Sequence, residues 1–184
     1  MILAQISDPH LRVGPGDAGS AQALEAAVDA VNALDPLPDA VLLSGDLTDH
    51  ATADEYQRVA ELLEPLSMPV HLLAGNHDDP DEMRAHLGAP GKPGEPLQYT
   101  QELGPLRLIA CDTTIRGRDD GALGGCPVFA CASSYLQLVL DLRPASEIFL
   151  VREPPVFGLH VMVGADLISH VVPIGDHGPP FRLP

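Results

Sequence analysis

The feature that most constrains this chain is a local pattern that occurs three times in its first half. A short apolar run, at 2–7, 40–44 and 70–74, is followed at once by polar residues. Runs of this length bounded by turn-forming residues are typical of buried strands. The polar residues that follow them are Asp8 and His10, then Asp46, and finally Asn76, His77 and Asp78.

The segments between these runs have the apolar spacing of helices. Ser20 is expected to cap the first helix, and the second follows a capping-box pattern at 52–55. A short third helix is predicted over 80–87, because proline favours its first position and Gly88 its end. This alternation predicts a βαβαβ unit with neighbouring parallel strands.

The second half of the chain predicts strands rather than helices. A buried strand is expected at 106–112, and β-rich runs separated by Pro and Gly follow at 135–142, 147–151, 157–164 and 167–174. The last two runs predict a hairpin turning through 164–166, which would place His160 opposite His170.

These elements and the length of 184 residues indicate one domain of the α/β class. We expect a two-sheet β-sandwich flanked by helices, with a metal-binding α/β half at 1–115 and a β-rich half at 125–184.

The composition excludes some partners. The chain has 26 acidic against 10 basic residues and a formal charge of −16, which repels a nucleic-acid backbone. No stretch approaches the roughly 18 apolar residues of a membrane span. The start of the chain is unlike a secretion signal and the three cysteines are an odd number, so we expect a cytoplasmic location.

The polar residues after the three strands predict a metal site. The carboxyl ends of parallel strands meet at one edge of a sheet, where α/β proteins bind ligands. Carboxylate, imidazole and amide groups are suited to Mn, Fe, Zn or Mg ions. Asp8, His10 and Asp46 could hold one ion, and Asp46 could bridge to a second ion bound by Asn76. Two ions about 3.5–4 Å apart would form a clamp for phosphoryl chemistry and lower the pKa of a water between them.

The two residues after Asn76 have the chemistry of acid catalysis. His77 could contact the substrate and act as an acid or a charge stabiliser for the departing oxygen. Asp78 could orient that imidazole.

Three segments then resemble a known family. They are Ile-Ser-Asp-Pro-His-Leu at 6–11, Ser-Gly-Asp-Leu-Thr-Asp at 44–49 and Leu-Ala-Gly-Asn-His-Asp at 73–78. In this order they resemble the calcineurin-like metallophosphoesterases, and in detail the class III cyclic-nucleotide phosphodiesterases of that superfamily.

The resemblance implies an enzyme and assigns roles to residues. It implies two divalent ions (Mn, Fe or Zn), the first held by Asp8, His10 and Asp46 and the second by Asp46 and Asn76. His77 would be the catalytic histidine. The implied activity is hydrolysis of small phosphodiesters, above all 3′,5′-cyclic nucleotides, by a metal-bound hydroxide.

The family pattern is incomplete in this chain. The family also uses histidines from a His-His-Pro-like segment and a Gly-His-x-His segment, and neither occurs here. Our hypothesis is that residues have been lost at or near Gly124-Gly125, together with part of the second sheet. The remaining ligands are enough for one ion, and exposed sheet edges invite homo-oligomers.

Two functions from different classes therefore stay open. The chain is a metal-dependent phosphodiesterase, or it is a catalytically impaired or inactive remnant that binds at most one weak ion. A self-associated form, in which a neighbouring chain supplies histidines, lies between them. His160 and His170 could replace lost ligands, whereas His50, His71 and His86 have no carboxylate partner suggested by spacing.

Overall fold

A computed structural model gives the fold of part of the chain. The described residues are 1–114 except Gly16 and Ala18, the pairs 137–138 and 150–151, and 156–174 except Ala165. The hypothetical break at Gly124-Gly125 and most of the strands predicted at 135–142 and 147–151 lie outside them. Among the described residues, no helix has the length and apolar character needed to cross a membrane.

The described part of the chain contains three helices and nine strands. The helices are α1 (Ser20–Asn32), α2 (Ala53–Leu63) and α3 (Pro80–Leu87). The strands are β1 (Ile2–Ser7), β2 (Ala40–Ser44), β3 (Val70–Leu73), β4 (Tyr99–Leu103), β5 (Leu106–Ala110), β6 (Gln137–Leu138), β7 (Leu150–Val151), β8 (Val156–Val163) and β9 (Asp166–Pro173).

Five of the strands form one sheet in the order β3-β2-β1-β8-β9. β1, β2 and β3 are parallel neighbours, so the predicted βαβαβ unit is confirmed. The sequence did not predict that the C-terminal hairpin joins the same sheet, with β8 antiparallel to β1. The mixed sheet with helices confirms the α/β class.

The hairpin of β8 and β9 has a different register from the expected one. Val163 pairs with Asp166, so two residues separate the strands and His160 faces Ser169. His170 instead faces Leu159, and the predicted pairing of His160 with His170 is wrong. Because side chains alternate between faces, this shift of one residue places the two histidines on opposite faces of the sheet.

The main core lies between the sheet and helices α1 and α2. Strand residues that point to this face are fully buried against apolar residues spaced along both helices, and burial of such surface is the main stabilising term. The fully buried members include Ile6, Val41 and Leu43 of the strands, Leu24, Val28 and Val31 of α1, and Tyr56 and Val59 of α2.

The opposite face of the sheet is partly covered by a two-stranded sheet of β4 and β5. Leu108 of β5 packs against a buried cluster of Leu3, Ala40 and Leu42. The strand predicted at 106–112 is confirmed as the shorter β5, but the prediction that it is buried is wrong, because Ala110 is the one buried residue of its five. The strand β4 was not predicted. This second layer agrees with the expected two-sheet architecture, and β6 and β7 form a further antiparallel pair.

The ends of α2 and α3 are fixed by the signals read from the sequence. At α2 the hydroxyl of Thr52 accepts a hydrogen bond from the backbone N–H of Glu55, whose carboxylate accepts one from the Thr52 N–H. At α3 Pro80 is the first residue, and Gly88 ends the helix with a φ of 67°. Both predicted boundaries are confirmed. The predicted cap of α1 is wrong, because Gly19 occupies that position and the Ser20 hydroxyl bonds instead to Asp17 and the Arg12 N–H.

The capping box gives a test of how much the start of α2 contributes to stability. Replacing Thr52 with Ala removes the acceptor for the N–H of Glu55, so we expect the free energy of unfolding to fall by about 1 kcal/mol. Urea unfolding would measure it, with Gln57→Ala on the exposed side of α2 as the control. Equal stability of the two variants would contradict a stabilising cap.

Candidate metal centre

The loops after β1, β2 and β3 are hydrogen-bonded to one another at one edge of the sheet. The backbone N–H of Asp8 donates to the Gly45 carbonyl at 3.1 Å, and that of His10 donates to the Asp46 carbonyl at 2.9 Å. The loop after β3 is joined by the N–H of His77, which donates to Oδ1 of Asp46 at 2.9 Å. The parallel arrangement therefore brings the three predicted motifs together.

His10, Asp46 and His77 form a group of possible metal ligands. Each offers one donor atom, and these atoms all lie within 4.8 Å of one another. Nε2 of His10 lies 3.5 Å from Oδ2 of Asp46, and the rings of His10 and His77 meet edge to face. Two imidazoles and a carboxylate are a donor set that fits zinc, manganese or iron. The sequence assigns His77 to catalysis, and the structure places its ring within reach of the same ion.

Asp8 lies beside this group but is not one of its three donors. Burial raises the pKa of its carboxyl and the charge of Asp46 adds to the rise, while the Ser7 hydroxyl, His10 and His77 oppose it. The Ser7 hydroxyl donates directly to the Asp8 carboxylate. Asp8 is therefore within electrostatic range of all three donors, and its role as a ligand stays a prediction.

The backbone at the expected ligands is strained. Asp8, His10 and Asp46 have φ values of 51°, 44° and 42°, in the left-handed region that residues with side chains rarely adopt. Each such residue costs of order 1–3 kcal/mol unless the surroundings enforce it, and such residues cluster at functional sites. Three of them in one loop cluster mark this edge as the functional one.

Gly75 allows two of the loops to touch. A Cβ atom at this position would lie 2.1 Å from Oδ1 of Asp46 and 2.2 Å from its backbone nitrogen. Oδ1 of Asp46 accepts the N–H of His77, and its backbone nitrogen belongs to the main chain, so neither atom can make room for a methyl group without displacing Asp46. Only glycine fits here.

Asp49 is the functional residue that sequence reasoning missed. Its carbonyl accepts a hydrogen bond from Nδ1 of His77 at 2.9 Å, and its Oδ1 lies 3.4 Å from Nδ1 of His10. Its Oδ2 accepts from Nε of Arg12 at 2.9 Å. One residue thus contacts both imidazoles on the Nδ1 side, which leaves the Nε2 atom of each ring for another partner. The sequence feature that could have identified Asp49 is its position as the last residue of the 44–49 segment, which also contains Asp46.

The charges around Asp49 and His77 shift both groups. Burial raises the pKa of Asp49, but the hydrogen bond and charge of Arg12 and the charges of His50 and His10 outweigh it and lower the pKa. Burial lowers the pKa of His77, but the Asp49 carbonyl and the charges of Asp46, Asp49 and Asp78 raise it above its usual value. The His77 ring therefore holds a proton more readily than a free imidazole.

Asp78 has a different role from the predicted one. The sequence predicts that it orients the His77 ring, whereas that ring is held by Asp49. Oδ2 of Asp78 instead accepts hydrogen bonds from the N–H groups of Leu47 at 3.1 Å and Gly75 at 2.9 Å, and its Oδ1 accepts from the buried hydroxyl of Tyr56. Asp78 therefore ties the second and third loops together, because backbone donors from both converge on it.

Asn76 is exposed and lies at the margin of a cavity of about 290 Å³. Asp78, Asp79, Asp81 and Asp112 contribute to the same cavity. This position leaves the Asn76 side chain accessible to a ligand, and its predicted role at a second ion stays a prediction.

His50 does have carboxylate partners, contrary to the expectation from spacing. Its Nδ1 lies 3.0 Å from Oε1 of Glu55 and its Nε2 lies 3.2 Å from Oδ2 of Asp49. His86 likewise lies 3.2 Å from Glu82, one helical turn away. The spacing argument failed for His50 because the capping box draws Glu55 back toward the loop that precedes α2.

The chain also matches known proteins. Residues 1–161 match the family model described as Calcineurin-like phosphoesterase. A probable glycerophosphodiester phosphodiesterase, GpdQ, of Arcobacter nitrofigilis is 28% identical over 163 residues, which cover 85% of this chain and 58% of the relative. A probable cyclic nucleotide phosphodiesterase of a Synechococcus strain is 33% identical over 156 residues, covering 84% of this chain and 58% of the relative.

A third relative is the 3′,5′-cyclic adenosine monophosphate phosphodiesterase CpdA of Pseudomonas aeruginosa. It is 32% identical over 128 residues, which cover 67% of this chain and 45% of the relative. The chain thus spans about half the length of the curated relatives it matches.

The close approach at Gly75 gives a prediction about the site. Gly75→Ala should weaken Mn²⁺ binding by about tenfold or more, because the added methyl group displaces Asp46. Titration calorimetry with Mn²⁺ would measure it. The control is Gly88→Ala, which has open space around the added methyl group and carries only the cost of its φ of 67°. Unchanged Mn²⁺ affinity in Gly75→Ala would show that the contact is not needed.

Asp78 gives a prediction about pH. Burial raises its pKa from 3.8 to about 6, although the N–H groups of Gly75, Leu47 and Thr48 oppose the rise. The folded chain then binds a proton that the unfolded chain has released between these values, so this contribution to stability is present below 3.8 and lost as the pH rises through 6.

The variant Asp78→Asn isolates this effect, because it cannot titrate. In metal-free solution, the free energy of unfolding of the parent relative to the variant should fall as the pH rises through that window. Urea unfolding at several pH values would measure the difference, and a difference that does not change with pH would contradict the raised pKa.

Proposed function

Because the chain belongs to the calcineurin-like phosphoesterase family, we propose that it is a metal-dependent phosphodiesterase that hydrolyses small phosphodiesters. The observation that carries the proposal is the convergence of His10, Asp46 and His77, with all donor atoms within 4.8 Å, at the edge where the parallel strands end. The relatives named as phosphodiesterases support the reaction class.

We propose that His10 and Asp46, together with Asp8, hold a divalent ion. A bound ion would supply Lewis acidity for the phosphoryl oxygens and for the attacking water. Asp46 is only 8% exposed, so its carboxylate lies in a medium where charges interact strongly. The carboxylate of Asp49 lies beside Nδ1 of His10, so the Nε2 atom of that ring is the one that would bind the ion.

We propose that His77, although it lies beside the other two donors, is not a ligand of the ion and instead acts on the departing oxygen of the diester. Its Nδ1 donates to the Asp49 carbonyl, so the proton available for catalysis is the one on Nε2. The raised pKa of the ring favours the protonated form, which can donate to an oxygen that develops negative charge. Asn76 and the cavity beside it are proposed to receive a second ion or the leaving group.

The substrate proposed first is a 3′,5′-cyclic nucleotide. One relative is named as a cyclic nucleotide phosphodiesterase and another as a 3′,5′-cyclic adenosine monophosphate phosphodiesterase. Glycerophosphodiesters are the alternative substrate, because a third relative is named for them. Both substrates present a singly charged phosphodiester, which is the part of the molecule that the described residues can address.

Hydrolysis of bis(4-nitrophenyl) phosphate with and without Mn²⁺ tests the proposal. We expect metal-dependent turnover in the parent and its loss in Asp46→Asn, because the amide removes the charge that neutralises the ion. Asp29→Asn, an exposed site on α1, is the matched control and should keep the parent rate. Full activity in Asp46→Asn would remove Asp46 from the site.

A second candidate function is a catalytically impaired remnant that binds one weak ion. It is favoured by one observation, the lack of His-His-Pro and Gly-His-x-His segments in the 184 residues. Mn²⁺ binding without turnover in folded protein would support it, whereas turnover that rises with protein concentration would support a self-associated form.

A further inference from the structure

We propose that Arg12 binds the anionic phosphate of the substrate and so determines the affinity of this site for phosphodiesters. The inference rests on the proposed function, because it concerns the same site. It starts from the charge of that site, which contains Asp8, Asp46, Asp49 and Asp78 and therefore repels an anion unless cations offset it.

Arg12 is the described arginine that is connected to the candidate ligands. Its Nε donates to Oδ2 of Asp49, and Oδ1 of the same carboxylate faces Nδ1 of His10. The other described arginines have partners elsewhere: Arg58 pairs with Glu61, Arg84 with Asp81 and Arg107 with Glu102. Within the described part of the chain, Arg12 is thus the side-chain cation that the fold places beside the imidazoles.

The position of Arg12 is fixed at two points. Its backbone N–H donates to the hydroxyl of Ser20 at 3.1 Å, and Ser20 is 1% exposed in the first turn of α1. The Ser20 hydroxyl in turn donates to Asp17. With the backbone tied to α1 and Nε tied to Asp49, the guanidinium loses little further freedom when it binds a ligand.

The donors of Arg12 are only partly used. The contact with Asp49 uses Nε, and the side chain is 46% exposed, so the two terminal nitrogens are available to a ligand from solution. A guanidinium presents its N–H groups as a planar fork that matches two oxygens of a phosphate. A phosphodiester has two such non-bridging oxygens and one negative charge.

The alternative is that Arg12 only neutralises Asp49. In that case its loss would disturb the imidazoles that Asp49 contacts, and metal affinity or the catalytic rate would change. If Arg12 binds phosphate, its loss should change substrate affinity alone. Separate measurements of metal binding, anion binding and turnover distinguish these roles.

The experiment compares the parent with Arg12→Lys, Arg12→Gln and the control Arg58→Gln. Diethyl phosphate, an unreactive phosphodiester anion, is titrated into each Mn²⁺-loaded protein by calorimetry. We expect Arg12→Gln to weaken its binding by about tenfold or more, the loss expected for hydrogen bonds to a charged group. Arg12→Lys should recover part of the affinity, since it keeps the charge but not the fork, and Arg58→Gln should bind like the parent.

Two further readouts complete the test. Mn²⁺ affinity without the anion should stay within about twofold in Arg12→Gln, and KM for bis(4-nitrophenyl) phosphate should rise by the same factor as the diethyl phosphate Kd while kcat stays nearly constant. A fall in kcat or Mn²⁺ affinity with unchanged anion binding would overturn the proposal. So would a parent that binds Mn²⁺ but no diethyl phosphate.

These outcomes separate the two proposals. A parent without turnover would count against the proposed function, yet anion binding to the parent and to Arg12→Gln would still decide the role of Arg12. A parent with turnover whose anion affinity is the same in Arg12→Gln would leave the proposed function intact and reject Arg12.

Discussion

The hydrogen bonds that carboxylates make across the three loops are the constraint on which the rest of the site depends. Asp46 accepts the N–H of His77, and Asp78 accepts the N–H groups of Leu47 and Gly75. The bonds of His77 and Leu47 join the loop after β2 to the loop after β3, and the bond of Gly75 closes the loop after β3 on itself. The carbonyl of Asp46 adds the loop after β1. Charged acceptors form stronger hydrogen bonds than neutral ones, so these contacts can hold several residues in left-handed conformations that the chain would otherwise avoid.

Charge in this region is therefore used in two ways. The carboxylate of Asp78 accepts hydrogen bonds from backbone N–H groups and from the hydroxyl of Tyr56. Asp49 instead contacts side chains, because its carboxylate lies beside Arg12 and His10 and its carbonyl accepts from His77. The opposite pKa directions of these two carboxyls follow from that difference. Burial raises the pKa of Asp78, whereas at Asp49 the hydrogen bond and charge of Arg12, together with the charges of His50 and His10, outweigh burial and lower the pKa. Asp46 and Asp49 are three residues apart in one loop and contact different atoms of the same two histidines. Asp46 lies near Nε2 of His10 and accepts the backbone N–H of His77, whereas Asp49 contacts Nδ1 of both rings.

Local signals in the sequence were enough for most of the first half of the fold. The strands before Asp8, Asp46 and the loop at 75–78, and the capped start of α2, follow from apolar runs and capping residues that act over a few positions. β4 was missed because three of its five residues are Thr, Gln and Glu, which point to solvent. The roles of Asp49 and Asp78 depend on how loops distant in sequence meet. No local pattern encodes that meeting. The one-residue error at His160 has a different origin, because the register of a hairpin follows the length of its turn, which is two residues here and was expected to be three.

The place of β1 inside the sheet has a consequence for how the chain forms. β1 pairs with β2, which lies about forty residues along, and on its other side with β8, so that Ile2 faces Val161. During synthesis from the N-terminus, the parallel half can assemble early while the far edge of β1 stays unpaired until β8 has left the ribosome. Pairing over such sequence distances is slow, and an unpaired apolar edge is prone to aggregation, so the yield of folded protein should depend on chaperones that cover β1 during that interval.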